Sequence, residues 1–333
     1  MKHEKARLSD GAIREIAEDL YMITLPMPFR LGHVNVYALM EKGGVHLFDT
    51  GLNMKNSLAL LDGALQSRGY SLGDVKNIFL THFHSDHCSS AGPIKEVSGA
   101  RIHMTEPGWR HIARMREPRL IAERVAAFTT RHGLPATTLA FIEKIFQRFR
   151  SITAYFDVDD MFSPPESLTI GGRTVETILT PGHANGHTCY VFPDDGIMLS
   201  GDHVLPDITP NLSIDLFDPE YRPLQSFLHS LRKVRDLPVS MVCPAHGSPF
   251  SDLKGRVDAI IAHHGERKGF VLESVRGGPK TTYQISQDVF DENLSEFDKY
   301  LALNETYVHL IELEKEGAVE KEEKGAQIVY KTC

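Results

Sequence analysis

Thr81-His82-Phe83-His84-Ser85-Asp86-His87 is the stretch on which the reading of this chain turns. The apolar run Val75 to Leu80 precedes it and reads as a buried strand. The helix-like segment Ser89 to Val97 follows it. Three histidines and one carboxylate therefore occupy a strand-to-helix turn, which can aim several side chains at one point. Imidazole and carboxylate together are ligands for zinc, manganese or iron. One loop histidine would be ordinary. Four such groups within six residues point to a metal centre.

Working outward, other strand ends carry the same chemistry. Val45 to Phe48 runs into Asp49-Thr50-Gly51, and Arg173 to Leu179 into Thr180-Pro181-Gly182-His183. Ile197 to Ser200 runs into Gly201-Asp202-His203, and Ser240 to Val242 into Pro244-Ala245-His246-Gly247. Asp49, His82, His183, Asp202 and His246 thus each follow a strand. In layered α/β architectures, sites form where strand ends meet. With 17 histidines in the chain, this recurring placement is what sets these residues apart.

Between these motifs, the chain opens on a short polar helix-like segment and a strand, Leu20 to Leu25. The loop Pro26 to Gly32 carries Met27, Phe29 and Leu31, and is unusually apolar. It is either a hairpin tip tucked against the core or a flap lining a substrate site. On the second reading Phe29 and Arg30 are pocket residues. A strand from His33 to Met40, a helix from Asn56 to Arg68 and a strand from Ala100 to Met104 follow. Strands then stop over residues 106–163. Two amphipathic helices are predicted there, near Arg119 to Arg131 and Pro135 to Phe156. The apolar stripe of the second is core packing, a lid over the site, or a dimer surface. Strands resume at Leu168 to Ile170 and Cys189 to Phe192, and a helix is predicted near Pro219 to Val234.

Composition narrows the class. The 333 residues are 41% hydrophobic and 24% charged, as in a soluble globular protein. No apolar run is long enough to span a bilayer, and the charged start Met1-Lys2-His3-Glu4-Lys5 does not read as a signal peptide. Cys88, Cys189, Cys243 and Cys333 lack paired spacing, which fits a reducing cytoplasm. A net charge of −8 argues against nucleic acid as the main partner.

The set His82-x-His84-x-Asp86-His87, then His183, Asp202 and His246, with an early Asp49-Thr50-Gly51, resembles the metallo-β-lactamase superfamily. The resemblance covers about residues 16–265. It implies an α+β fold, an αββα sandwich of two mixed sheets with helices outside. It also implies two divalent metal ions, zinc first, with iron or manganese as alternatives. On that pattern His82, His84 and His183 bind one ion, and Asp86, His87 and His246 the other. Asp202 bridges them, roughly 3.5–4 Å apart. Asp49 accepts a hydrogen bond from a ligand and fixes its tautomer. A metal-bridging hydroxide is then the nucleophile, with Asp86 and Asp202 as its catalytic carboxylates, and Cys88 is not required. His84 resembles the hydrolytic branch, whereas flavodiiron proteins usually have Glu at that position.

The tail is expected to be separate, dividing the chain into 1–265 and 266–333. Thr281 to Phe290 and Phe297 to Glu316 read as helices, and Val319 to Tyr330 as a two-stranded wing. Together they resemble the winged-helix-like module of the β-lactamase-like protein 2 branch. The acidic residues Glu305, Glu312, Glu314, Glu316, Glu320, Glu322 and Glu323 argue against a nucleic-acid face. The module is therefore expected to close the site or form a homodimer. The expected function is hydrolysis of a small acyl ester, thioester or lactone. The alternative is a phosphodiesterase or single-strand endoribonuclease, which needs basic residues near the metals, with Arg30, Arg101, Arg110 and Arg222 as candidates.

Overall fold

The computed structural model describes residues 11–28, 31–152 and 155–333. Phe29, Arg30 and the opening segment through Asp10 lie outside the described residues. Seven strands form the first sheet, ordered β1 to β7 as in the chain. They are Ile13–Ala17, Leu20–Pro26, His33–Glu41, Gly44–Phe48, Val75–Phe79, Arg101–Thr105 and Asp160–Phe162. The first four pair antiparallel; from β4 onward the pairing is parallel. The second sheet comprises β8 (Glu166–Ile170), β9 (Arg173–Leu179), β10 (Thr188–Phe192), β11 (Ile197–Gly201) and β12 (Met241–Pro244), ordered β12-β11-β10-β9-β8.

Side-chain alternation explains the layering. In β2, Leu20 and Met22 point to the second sheet, whereas Tyr21, Ile23 and Leu25 point to the outer helices. The inter-sheet core is aromatic. Phe48 stacks on Phe79 with centroids 5.5 Å apart and meets Tyr190 and Phe192 edge-on at 5.1 and 5.6 Å. Phe48 is the last residue of β4, so this stack fixes where Asp49 emerges.

Helices α1 (Lys55–Gln66), α2 (Ser85–Cys88), α3 (Ala91–Ser98) and α4 (Glu106–Arg114) lie on the first-sheet side. After α5 (Pro118–Arg131) and α6 (Ala136–Ile152) come α7 (Pro223–Val234) and α8 (Leu253–Arg276), which cover the second sheet. The result is the expected αββα sandwich.

Local details differ from expectation. A four-residue helix, α2, starts at Ser85 inside the motif, with His84 as its N-cap, ahead of the expected helix, which is α3. The segment Ile13–Ala17 is a strand paired with β2. Two longer helices are additional. α4 begins at Glu106 with proline in its first turn, where the missing N–H costs nothing. α8 is 24 residues long and runs unbroken through position 265. Its first half packs on the sandwich through Val257 and Ile260, its second half into a tail core through Val271 and Val275. That core also holds α9 (Thr282–Val289), α10 (Glu296–Lys315) and a sheet of β13 (Lys280–Thr281), β14 (Val319–Lys324) and β15 (Gln327–Thr332), ordered β13-β15-β14. A capping box, Thr281 with Gln284, starts α9. Among the described residues no helix is long and apolar enough to cross a membrane.

Candidate metal centre

Five loops leave the same end of the sandwich, and main-chain bonds lock them together. Asp49 N–H donates to Phe79 O, Thr188 N–H to Thr81 O, and Ala245 N–H to Gly201 O, all within 3.0 Å. Glycine is required at two of these turns. Gly182 and Gly201 have positive φ, and a Cβ would come within 2.4 Å of Phe227 and 2.6 Å of His187, respectively. Asp49 itself sits at φ 61, a conformation that aspartate tolerates better than most residues.

These loops bring His82, His84, Asp86, His87, His183, Asp202 and His246 together. Three groups of them could hold a metal ion: His82 with His84 and His183, His82 with His87 and Asp202, and Asp86 with His87 and His246. His84 Nδ1 lies 3.0 Å from His82 Nε2 and 2.9 Å from His183 Nε2. Asp202 Oδ2 lies 3.4 Å from His183 Nε2 and 3.5 Å from His87 Nε2, and its Oδ1 lies 3.3 Å from His246 Nε2. Asp86 Oδ2 lies 3.4 Å from His246 Nε2. Metal bonds of about 2.0–2.1 Å place tetrahedral ligand atoms about 3.3 Å from one another.

The outer partners decide the ring protons. Thr81 donates its hydroxyl to Asp49 Oδ2 at 2.8 Å, so its oxygen accepts from His82 Nδ1 at 2.9 Å. Asp49 Oδ2 also accepts from His87 Nδ1 at 2.8 Å. His183 Nδ1 donates to Asn211 O and His246 Nδ1 to His33 O, each at 2.8 Å. Each of these four rings therefore turns a bare Nε2 inward. With the rings neutral, as metal ligands are, their lone pairs would face carboxylate oxygens with no donor between them. The buried atoms His87 Nε2, Asp202 Oδ1 and His246 Nε2 make no hydrogen bond. Each such orphan costs about 1–3 kcal/mol unless something electropositive joins it. A divalent cation fits this donor set.

The electrostatics agree. Burial, then the neighbouring histidines, hold His82 well below its ordinary pKa; burial and His183 push His84 down to about 3. Burial opposes charge on His87 and His246 too, yet Asp86 and Asp202 outweigh it and raise both, His246 to about 10. These carboxylates draw positive charge into the cluster. Cys88 is no competitor: its buried thiol bonds to Phe83 O and burial pushes its pKa well up.

Three positioning residues have no strong sequence signal. His187 Nε2 accepts the Asp202 N–H at 3.1 Å and its Nδ1 meets Thr180 Oγ1. Its one hint is its place in the Thr180 to Thr188 stretch. His33 and Asn211 act through backbone carbonyls, which sequence does not advertise.

A cavity of about 2520 Å³ opens on the cluster. Met27 and Leu31 line it, as do residues of α4, α5, α6 and α10. Insertion and tail thus both wall the site. Of the basic candidates, Arg101 pairs with Asp160, Arg110 with Glu106, and Arg222 with Pro219 O. Arg114, Arg116 and Arg150 line the cavity instead.

Residues 29–246 match the family model for the metallo-beta-lactamase superfamily. A probable metallo-hydrolase of Bacillus subtilis (strain 168) is 27% identical over 95% of this chain and 98% of its own. A beta-lactamase-like protein 2 homolog of Caenorhabditis elegans is 23% identical over 94% of this chain and 88% of its own. The crystal structure of a metallo-beta-lactamase family protein from Thermus thermophilus superposes with a TM-score of 0.85 at 29% identity, covering 96% of this chain and all of that one. The match spans well over half of the chain and includes every strand end just described, so the chain belongs to the metallo-β-lactamase superfamily and is a metal-dependent hydrolase.

Proposed function

We propose that the chain hydrolyses an acyl ester, thioester or lactone with two divalent ions, zinc first and iron or manganese as alternatives. His82, His84 and His183 would hold one ion; Asp86, His87 and His246 the other. Asp202 reaches ring nitrogens of both groups and would bridge them. The ions, when bound, supply Lewis acidity and lower the pKa of water towards neutrality. The chain's own residues prepare that chemistry. Asp49, Thr81, Asn211 and His33 hold protons on the outer ring nitrogens. His187 orients Asp202 through its backbone N–H.

The observation that carries the substrate class is the cavity wall. It is built largely from apolar side chains such as Phe141, Ile145, Phe146 and Leu301. A phosphodiesterase or single-strand endoribonuclease is the second reading, favoured by likeness to the beta-lactamase-like protein 2 homolog and by Arg114, Arg116 and Arg150 at the wall. Its weakness is charge: Asp207, Asp215, Asp298, Glu143 and Glu305 share that wall. We read residues 266–333 as a winged-helix-like module serving the site, since α10 lines the cavity. The four unbridged cysteines support a cytoplasmic setting.

The test is a substrate panel on metal-loaded protein: acyl-CoA thioesters, aryl esters, lactones, a phosphodiester and single-stranded RNA, with Asp202→Ala as control. Turnover of esters or thioesters is expected. Cleavage of RNA alone would overturn the reading.

A further inference from the structure

The apolar stripe of α6 does not close on itself. Ile142 is fully buried, but Leu139, Ile145 and Phe146 are only half-buried, and the last two face the cavity. Phe146 meets Tyr300 of α10 edge-on, with ring centroids 5.8 Å apart, so the two helices are joined across this wall.

Exposure elsewhere follows the same pattern. Among the described residues, the large hydrophobics most open to solvent are Leu31, Val97, Phe141, Tyr155, Met161, Ile208 and Phe270. Four of the seven, Leu31, Phe141, Tyr155 and Ile208, line this one cavity, each 39–42% exposed. Scattered exposed hydrophobics need no explanation, but a cluster around a single opening does. The cavity, about 2520 Å³, exceeds the roughly 300–1,000 Å³ of a site for a drug-sized ligand. Its floor is the ligand cluster.

We propose that this cavity, walled by α5, α6, α10 and the loop around Ile208, seats an extended apolar acyl group whose carbonyl lies at the metal cluster. The preferred substrate is then a long-chain or aromatic acyl ester or thioester, and short acyl groups leave most of the wall unused. The inference rests on the acyl-hydrolase reading above, but the seat can be tested without turnover.

The probe is cis-parinaric acid, a fluorescent fatty acid, displaced from the full-length protein by linear carboxylic acids from butanoate to palmitate and by 2-naphthoate. Binding should tighten with length, by up to roughly fourfold per added methylene where the chain is fully buried. Phe141→Glu and Ile208→Asp should each flatten that slope and weaken dodecanoate binding at least tenfold. Phe270→Glu, an exposed apolar site off the cavity, should leave it unchanged. Tighter 2-naphthoate than dodecanoate binding, with the same variant pattern, would assign the seat to aromatic acyl groups. Affinity independent of chain length would overturn the seat, as would binding that only Phe270→Glu weakens. The substrate panel judges the parent reading separately. Hydrolysis of acetyl and long-chain esters at equal kcat/KM, with flat binding, would keep the hydrolase and discard the seat.

Discussion

The floor and the roof of the cavity are built by opposite means. The floor consists of loops at strand ends, tied by main-chain hydrogen bonds such as Asn35 N–H to Ala245 O at 2.7 Å and Thr50 N–H to His87 O at 2.7 Å. Side chains reinforce it: Asn35 Nδ2 donates to Gly247 O, and Tyr37 OH to Pro244 O. The roof consists of helices meeting through side chains, Phe146 on Tyr300 and Thr138 on Glu296. Backbone ladders hold groups within tenths of an ångström; side-chain contacts between helices can shift or repack. On the proposed reading, the floor would set the reaction and the roof would select the substrate.

Within the floor, Asp202 carries the largest expected effect. Removing one partner from a buried charge cluster costs about 3–5 kcal/mol. That corresponds to roughly 10²–10⁴-fold in affinity or rate. Asp202→Ala should therefore lose bound metal and activity together, for every substrate alike. Metal content by elemental analysis and kcat/KM on a short and a long ester check this. Normal metal content would rule out the bridging role proposed for Asp202.

A roof variant should behave differently. Leu310 of α10 is fully buried in the tail core. Leu310→Ala should cost about 2–5 kcal/mol in urea unfolding. Because α10 lines the cavity, KM for long acyl substrates should rise while metal content stays near wild type. Loss of metal before loss of substrate affinity would mean that floor and roof are one cooperative unit.

The two halves also differ in how far sequence reveals them. Each candidate metal ligand follows a strand within eight positions, a local pattern that residue types and spacing display. The roof depends on contacts between distant segments. α8 escapes notice because Gly255, Gly265 and Gly269 weaken its helical signal and its apolar face serves two different cores. Glu305 reads as one of a run of surface acids. It is buried in α10, accepts from Asn211 Nδ2, and burial raises its pKa to about 7. Histidine count is no guide either. His264 and His309 are buried with their rings stacked at 5.4 Å, and neither belongs to the metal-ligand groups. What distinguishes His87, His183 and His246 is an outer nitrogen held by an acceptor and an inner one facing carboxylates, which only the fold displays.

Asp49 sharpens the division within the floor. Its Oδ2 accepts from both Thr81 and His87. Asp49→Asn can keep φ 61, since asparagine also tolerates that conformation. It nevertheless places an amide N–H₂ either opposite the Thr81 backbone N–H, which donates to Oδ1, or opposite the Thr81 hydroxyl and His87 Nδ1, which donate to Oδ2. Metal affinity should fall about 10–100-fold, read by chelator competition, with the unfolding midpoint of the metal-free protein little changed. An unaltered affinity would show that Thr81 and the backbone position His82 and His87 without help.

The smallest effect belongs to Arg110, and it tests the boundary of the roof. Arg110 stands on α4, which contributes His111 and Arg114 to the cavity wall, but its own guanidinium pairs with Glu106 one turn back, both well exposed. A surface pair at that spacing contributes about 0.3–0.5 kcal/mol. Arg110→Ala should change stability by no more than that, and kcat/KM for esters and phosphodiesters should stay within about twofold. A selective loss of phosphodiester cleavage would place Arg110 on the substrate path. The roof would then extend over the outer face of α4, and the basic residues of the insertion would have to be counted with the site.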